Sequence, residues 1–299
     1  MDRVLTVVTN PALASLDDST AAVARSALAG LGATIGAADW LAPRVALDLP
    51  FDGLAADRAQ VAVADALAAA PVDICAQPAD GRRKALLVAD MDSTVIEHET
   101  LDEMARLAGL ADRVVPITDR AMNGEISFEN ALRARVALFA GRSADLIADA
   151  LKATPPSPGA ATLVRTMARH GAFCVLVSGG FTAFTHKIRS LLGFHLAEGN
   201  TLVIEDGKLT GAVGEPIVGK ERKLAALEEH AAARGLTAAD AVAIGDGAND
   251  LPMLLAAGLG IAYRAKPTVR DAVRIRIDHA DLTAPLYFQG YRQHELVPA

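Results

Sequence analysis

The sequence of 299 residues predicts an α/β chain: a Rossmann-like, doubly wound parallel sheet with a helical insertion, preceded by a small α+β unit. Three observations predict this class. In the second part of the chain, short and almost wholly apolar strands alternate with helices, as in a parallel sheet covered on both faces. Between two of these strands lies a long stretch with helical periodicity. The composition also changes sharply near residue 80.

The first segment, residues 1–80, alternates β-rich runs with Ala-rich helical stretches. Its predicted elements are a strand at 4–9, a helix from about 15 to 31, strands around 35–40 and 45–49, a helix at 52–70 and a strand at 72–77. The order β-α-β-β-α-β predicts a ferredoxin-like sandwich. This order resembles the ACT-type modules that bind amino acids in metabolic enzymes.

The charge distribution separates the two segments. Residues 1–80 contain four Arg, no Lys, ten Asp and no Glu, so they account for −6 of the net charge of −7. Residues 77–84 are polar and include Pro and Gly, which is typical of a linker. We therefore expect domains at 1–80 and 81–299.

Composition excludes several classes of protein. With 29 Lys plus Arg against 36 Asp plus Glu, the chain lacks the basic excess of a general nucleic-acid binder. It has no apolar run of about 18 residues that could span a membrane. Cys75 and Cys174 lie far apart in apolar runs, and the N-terminus lacks the features of a signal peptide. These observations predict a reduced, cytoplasmic protein.

The second segment contains the alternating strands. They are predicted at 85–90, 173–180, 241–247 and 259–263. The stretch from 99 to about 164 repeats apolar residues with helical spacing, and we expect it to form a helical cap over the sheet.

Polar residues follow three of these strands. They are Asp90 and Asp92 after the first, Ser178-Gly179-Gly180 after the second, and Asp246, Asn249 and Asp250 after the third. Ligands of open α/β sheets bind at the carboxyl ends of the strands. Several carboxylates meeting there would repel one another without a cation, and a small set of oxygen ligands favours Mg²⁺.

The spacing of Asp90 and Asp92 allows the two carboxylates to take different catalytic roles. The carboxylate nearest the strand can attack phosphorus, and the other can protonate the leaving oxygen and later deprotonate water. The Ser178 hydroxyl and the Gly179 N–H suit phosphate oxygens, and a lysine would supply further positive charge.

Four motifs in this order resemble the haloacid dehalogenase superfamily, and within it the phosphoserine phosphatase family. They are DMDSTVIEHETLDEMA from Asp90, NGEISFENALRARV from Asn123, VSGGFTAFT from Val177 and AIGDGANDLPML from Ala243. Met91 stands between the paired aspartates where many members carry Phe; both residues are apolar.

The resemblance implies a role for each matching residue. Asp90 would be the nucleophile that becomes a phosphoaspartate, and Asp92 the general acid and base. Asp90, Asp92 (through its carbonyl) and Asp246 would bind Mg²⁺, with Asn249 and Asp250 supporting this shell.

The resemblance also implies a substrate site. Ser178, Gly179 and Lys223 would contact the phosphate, with Lys220 as the alternative lysine. Glu99 would meet the substrate ammonium and Arg135 its carboxylate. Asn249 also counts among the substrate-binding residues.

The implied activity is Mg²⁺-dependent hydrolysis of O-phospho-L-serine to L-serine and phosphate, the last step of L-serine biosynthesis. The partner would be this small molecule, with no nucleic acid and no membrane. Two other hypotheses stay open: a phosphatase or phosphotransferase for another phosphorylated metabolite, and a protein that senses an amino acid through residues 1–80. A homodimer is also left open.

Overall fold

The computed structural model describes residues 1–122 and 125–299, and for Met122 its backbone alone. The expected α/β fold is confirmed, with a small N-terminal unit that has its own sheet. The elements of this unit are β1 (Arg3–Thr9), α1 (Asp18–Gly30), β2 (Thr34–Ile35), β3 (Asp39–Ala42), β4 (Ala46–Asp52), α2 (Ala56–Ala66) and β5 (Val72–Pro78).

The N-terminal sheet has the strand order β2-β4-β1-β5, with β3 also paired to β4. β1 pairs antiparallel with both β4 and β5, which is the split arrangement of a ferredoxin-like sandwich. The strand expected around residues 35–40 is divided in two. Its pieces pair with opposite ends of β4, since Thr34 lies beside Asp52 and Trp40 beside Leu47. The likeness to ACT-type modules stays a prediction.

The segment that connects the two sheets is anchored by an arginine, although its composition predicts a linker. The Arg82 guanidinium donates to Asp48 at 2.6 Å and to the carbonyl oxygens of Tyr287 and Phe288 at 3.1 Å. Asp73 of β5 accepts hydrogen bonds from three consecutive backbone amides, at residues 278–280. The N-terminal unit is thus bonded to the rest of the chain through buried polar contacts.

The second part of the chain is built on a six-stranded sheet. Its strands are β6 (Leu86–Ala89), β7 (Phe173–Phe181), β8 (Leu196–Asn200), β11 (Ala241–Gly245), β12 (Leu259–Tyr263) and β13 (Ile275–Ile277). The order is β13-β12-β11-β6-β7-β8, and all pairs are parallel. β6 lies where the order reverses, so the carboxyl ends of β6, β7 and β11 are neighbours.

Helices cover both faces of this sheet and form the insertion above it. They are α3 (Thr100–Ala108), α4 (Ala111–Met122), α5 (Phe128–Ala137), α6 (Asp145–Lys152), α7 (Ala160–Arg169), α8 (Thr182–Leu192), α9 (Lys220–Ala232), α10 (Leu251–Ala256), α11 (Pro267–Ala272) and α12 (Ala284–Phe288). α3 to α6 form the expected helical insertion. α7 begins within the predicted cap range but packs on β7 and α8.

Four strands of this part were not predicted from the sequence: β8, β13 and the hairpin of β9 (Leu202–Glu205) and β10 (Lys208–Val213). β8 contains Glu198 and Gly199, and β13 is three residues long, so neither has the continuous apolar run that marked the central strands. Among the described residues, no helix is long and apolar enough to cross a membrane.

Candidate active site

The loop after β6 holds the paired aspartates in a tight turn. The Asp90 backbone N–H donates to the carbonyl of Ile244 in β11 at 2.9 Å, which continues the pairing of the two strands. Ser93 has a φ of 53°, in the left-handed region that non-glycine residues rarely adopt. Such strained positions cluster at functional sites. The turn directs both Asp90 and Asp92 into one cavity.

A buried lysine lies against the first aspartate. Lys223 of α9 is fully buried, and its Nζ is 2.6 Å from Asp90 Oδ1 and 2.5 Å from Asp250 Oδ1. Burial alone would lower the pKa of Lys223, but the attraction of Asp250 and Asp90 raises it above its ordinary value. The lysine is therefore charged at neutral pH.

Asp250 is held from two sides. One carboxylate oxygen binds Lys223, and the other accepts from the backbone amides of Asp246 and Gly247 at 3.2 and 3.0 Å. The backbone passes so close that a Cβ at Gly245 would lie 2.4 Å from Asp250 Cγ, so this position requires glycine. Asp250 thus shapes the loop that presents Asp246.

Three carboxylates meet at this edge of the sheet. Asp90, Asp246 and Asp250 each offer an oxygen within 4.8 Å of the others. Burial, then the charge of Asp250, raises the pKa of Asp246 to about 7 and that of Asp90 well above its usual range. Lys223 offsets one of these charges. An oxygen-rich, buried cluster with excess negative charge suits a hard divalent cation.

Asp92 faces the second strand end. Its Oδ1 accepts from the Thr100 amide at 2.8 Å, and its Oδ2 accepts from the Ser178 hydroxyl at 3.1 Å. Burial raises the pKa of Asp92, against the opposing effect of the Thr100 hydrogen bond. The carboxyl group can therefore carry a proton more readily than an exposed aspartate, as a general acid requires.

The strand ends open into a cavity of about 370 Å³ beneath the helical insertion. Asp90, Asp92 and Asp246 line its floor. Its other lining residues include Glu99, Leu101, Thr118, Phe128, Glu129, Arg135, Gly179, Gly180, Lys220, Asn249, Lys266 and Thr268. The cavity thus combines acidic, basic and apolar groups.

The helical insertion contributes one basic and one acidic group. Arg135 is 7% exposed and its guanidinium donates to Thr118 Oγ1 at 3.1 Å. Glu99 accepts from the Ser93 hydroxyl at 2.8 Å, and burial, then the charge of Asp92, raises its pKa to about 8. One cation and one acidic group therefore face the same cavity as the strand-end aspartates.

The structure brings most of the expected site residues together. Asp90, Asp92, Asp246, Glu99, Arg135, Gly179 and Asn249 all line the cavity. The Ser178 side chain is buried behind the wall, bonded to Asp92 and to the Gly180 amide. Of the two lysines, Lys220 lines the cavity, whereas Lys223 lies beneath its floor against Asp90.

Several groups at the site were not anticipated from the sequence. Lys266 and Thr268 line the cavity, and the Lys266 amide donates to the Asp246 carbonyl at 3.0 Å. Both residues follow β12, so the rule that ligands bind at strand ends could have identified them. Phe128 and Thr118 depend on how the insertion folds over the sheet, which no local pattern indicated.

The fold and the site define a hydrolase of the haloacid dehalogenase type. The chain belongs to the haloacid dehalogenase-like hydrolase family, whose model matches residues 87–255. It is 42% identical over 259 residues to a phosphoserine phosphatase of Streptomyces coelicolor, an alignment that covers 86% of this chain and 63% of that protein.

Two solved structures are similar to different extents of the chain. A probable phosphoserine phosphatase from Vibrio cholerae has a TM-score of 0.78 at 29% identity, over 98% of this chain and 88% of that one. A phospho-aspartyl intermediate analogue of phosphoserine phosphatase has a TM-score of 0.66 at 39% identity, and the match covers 69% of this chain and 99% of that one. The chain covers between 53% and 64% of the length of four curated relatives that it matches.

Proposed function

We propose that this chain hydrolyses O-phospho-L-serine to L-serine and phosphate. The observation that carries the proposal is the shared cavity, where Asp90 and Asp92 at the sheet edge face Glu99 and Arg135 of the insertion. Phosphoserine has a phosphate, an ammonium and a carboxylate to recognise. Relatives named as phosphoserine phosphatases, at about 40% identity, support the same substrate.

Asp90 would act as the nucleophile. One of its oxygens is bonded to Lys223, which leaves the other for attack on phosphorus as the serine oxygen departs. The product would be a phosphoaspartate, and a solved relative is described as an analogue of that intermediate. Lys223, next to Asp90, would counter the charge of the bound phosphoryl group.

Asp92 would act as the general acid and base. Its protonated carboxyl would donate to the leaving serine oxygen, and the resulting carboxylate would take a proton from the water that attacks the phosphoaspartate. Each cycle restores Asp92 to its protonated form. The hydrogen bonds from Thr100 and Ser178 hold the carboxyl group in one orientation for both steps.

The cluster of carboxylates fits a Mg²⁺ ion. The carboxylates of Asp90 and Asp246, with the Asp92 carbonyl, would hold it, and Asp250 would support them. Bound there, the ion would supply positive charge that stabilises the equatorial phosphoryl oxygens. The fit rests on the carboxylate oxygens of Asp90, Asp246 and Asp250, which converge within 4.8 Å. These three groups can carry more negative charge than Lys223 offsets.

Recognition of the amino-acid head would fall to the insertion. Arg135, held by Thr118, would bind the substrate carboxylate, and the Glu99 carboxylate would bind the ammonium. Gly179 and Gly180 would approach the phosphate, and Lys220 and Asn249 also line the cavity.

The direct test is release of phosphate from O-phospho-L-serine with and without Mg²⁺. A panel with glycerol phosphate and p-nitrophenyl phosphate, compared by kcat/KM, separates this substrate from other phosphorylated metabolites. We expect Asp90→Asn to abolish turnover while the protein stays folded. Asp112→Asn, the same change at an exposed site, is the matched control. Preference for another ester, or normal turnover by Asp90→Asn, would overturn the proposal.

We also propose that residues 1–80 bind an amino acid and that the protein is a cytoplasmic homodimer. Because Arg82 and Asp73 bond this unit to the rest, the full chain is the right sample. L-serine is also the expected product, so calorimetry should use an Arg135→Met variant, in which the active-site contribution is weakened. If millimolar L-serine gives no heat of binding, the proposal of an amino-acid site in residues 1–80 is wrong. If light scattering shows a monomer, the proposal of a homodimer is wrong.

A further inference from the structure

A buried asparagine at the end of β8 contacts the backbone of two different parts of the site. Asn200 is 1% exposed. Its Nδ2 donates to the Gly179 carbonyl at 2.7 Å and to the Val218 carbonyl at 3.3 Å. Its Oδ1 accepts from the Val218 amide at 2.8 Å. One side chain therefore joins the turn after β7 to the segment that leads into α9.

The turn that Asn200 contacts is an irregularity in the sheet. Val177 pairs with Glu198, but the next pair is Phe181 with Asn200, so β7 has two extra residues between these pairs. Residues 178–180 occupy this bulge, as is common beside active sites. A bulged residue loses its ladder partner, and the side chain of Asn200 satisfies the Gly179 carbonyl instead.

The other segment that Asn200 contacts leads to the lysines of the site. α9 begins two residues after Val218, and it carries Lys220 at the cavity wall and Lys223 against Asp90. The Asn200 amide thus lies between the glycine turn and the helix with both lysines. It touches neither the cavity nor the reacting atoms, since it is absent from the cavity lining.

The glycine turn has close neighbours on both sides. A Cβ at Gly179 would lie 2.6 Å from Phe128 Cζ, and a Cβ at Gly199 would lie 3.1 Å from the Gly180 carbonyl oxygen. The turn is therefore confined between α5 and the end of β8. A small displacement at Asn200 must move the turn, because there is little free space to absorb it.

We propose that Asn200 is a positioning residue that sets the glycine turn against α9, and so fixes the geometry of the phosphate end of the cavity. This rests on the proposed function, in which Gly179, Gly180 and Lys223 surround the phosphoryl group. The amino-acid end, formed by Glu99 and Arg135, makes no contact with Asn200. Loss of the amide should therefore weaken phosphate binding and leave recognition of the amino-acid head unchanged.

The test is Asn200→Asp, which keeps the shape and the acceptor to Val218 but loses the donor to Gly179. We expect the dissociation constant for inorganic phosphate, measured by calorimetry with Mg²⁺, to rise about 10-fold. We expect kcat/KM for O-phospho-L-serine and for p-nitrophenyl phosphate to fall together by about 10- to 100-fold, the scale of a misplaced reacting group. The inhibition constant of L-serine should stay within about twofold of wild type.

Gln289→Glu is the matched control. Gln289 is buried and bridges backbone groups in the same way, accepting from the Lys84 amide and donating to the Pro285 carbonyl, both at 3.0 Å. It lies outside the cavity lining, so this variant should lose stability without a change in phosphate affinity. Asn200→Ser is a milder second variant with the same expected direction.

Unchanged phosphate affinity in folded Asn200 variants would overturn the inference, as would equal losses of phosphate and serine binding. If neither variant folds, Asn200 serves stability alone and the positioning role is wrong. Phosphate calorimetry does not depend on which ester is hydrolysed. Failure of the proposed substrate would therefore appear in the wild-type ester panel, separately from this result.

Discussion

Replacement of Lys223 by methionine is expected to destabilise the folded protein strongly, because two buried carboxylates share its charge. Lys223 Nζ lies 2.6 Å from Asp90 and 2.5 Å from Asp250, and the side chain is buried from solvent and lies outside the cavity lining. Removal of one partner from a buried ion pair costs roughly 3–5 kcal/mol. At about 2–4 °C per kcal/mol for domains of 150–250 residues, Tm should fall by about 6–20 °C.

Methionine is close to the lysine stem in length and is apolar, so the loss should come from electrostatics and lost hydrogen bonds rather than from an empty cavity. The assay is thermal and urea denaturation at neutral pH with a chelator present, so that metal binding does not mask the effect. Lys220→Met is the control, because that side chain is 61% exposed and its removal should change stability by less than about 0.5 kcal/mol.

A double variant tests the cause. Lys223→Met with Asp250→Asn removes one of the uncompensated carboxylates, so it should be more stable than Lys223→Met alone, although inactive. The buried charges are not coupled as described if the free energy of unfolding of Lys223→Met lies within about 1 kcal/mol of the wild-type value. The same conclusion follows if the double variant is no more stable than Lys223→Met.

Three further predictions test the cavity and the acidic cluster. Arg135→Met should lower kcat/KM for O-phospho-L-serine by about 10- to 150-fold, the effect of one charged hydrogen bond. The kcat/KM for p-nitrophenyl phosphate should change far less. Equal losses for the two substrates would show that Arg135 does not bind the carboxylate. Gly180→Ala places a Cβ 2.5 Å from Asp92 Oδ2 and should reduce kcat by about 100-fold. The control is Gly30→Ala, which should leave kcat unchanged because no atom lies within 4 Å of the added Cβ. Addition of Mg²⁺ at about 100 times its dissociation constant should raise the free energy of unfolding by about 2.7 kcal/mol. Asp246→Asn should reduce this gain in stability. An equal gain in that variant would show that the ion binds elsewhere.

The sequence alone predicts the parts of the protein that depend on local pattern. Buried parallel strands are continuous apolar runs, so β6, β7, β11 and β12 were evident from composition. The carboxyl ends of such strands lie at one edge of the sheet, so the residues that follow them could be grouped without a structure. Asp90 and Asp246 were found in this way, and their proposed roles await the variants above.

Other features were decided by tertiary structure because no local pattern encodes them. Lys220 and Lys223 are three positions apart on one helix and have similar surroundings in the sequence. Their different places, at the cavity wall and beneath its floor, depend on how α9 packs against the sheet. The short or polar strands β8 and β13 form by pairing at the sheet edges, where neighbours compensate for their weak apolar pattern.

The clearest contrast is between the aspartate turn and the asparagine that lies behind the glycine turn. Asp90 and Asp92 are two positions apart in the sequence and line the same cavity, so the sequence motif already indicates that they lie together in space. Asn200 joins Gly179 to Val218, groups that are 21 and 18 positions away along the chain. Contacts over such separations arise when strands and helices pack. The sequence therefore determined which chemistry the chain carries, and the packing decided which side chains hold that chemistry in place.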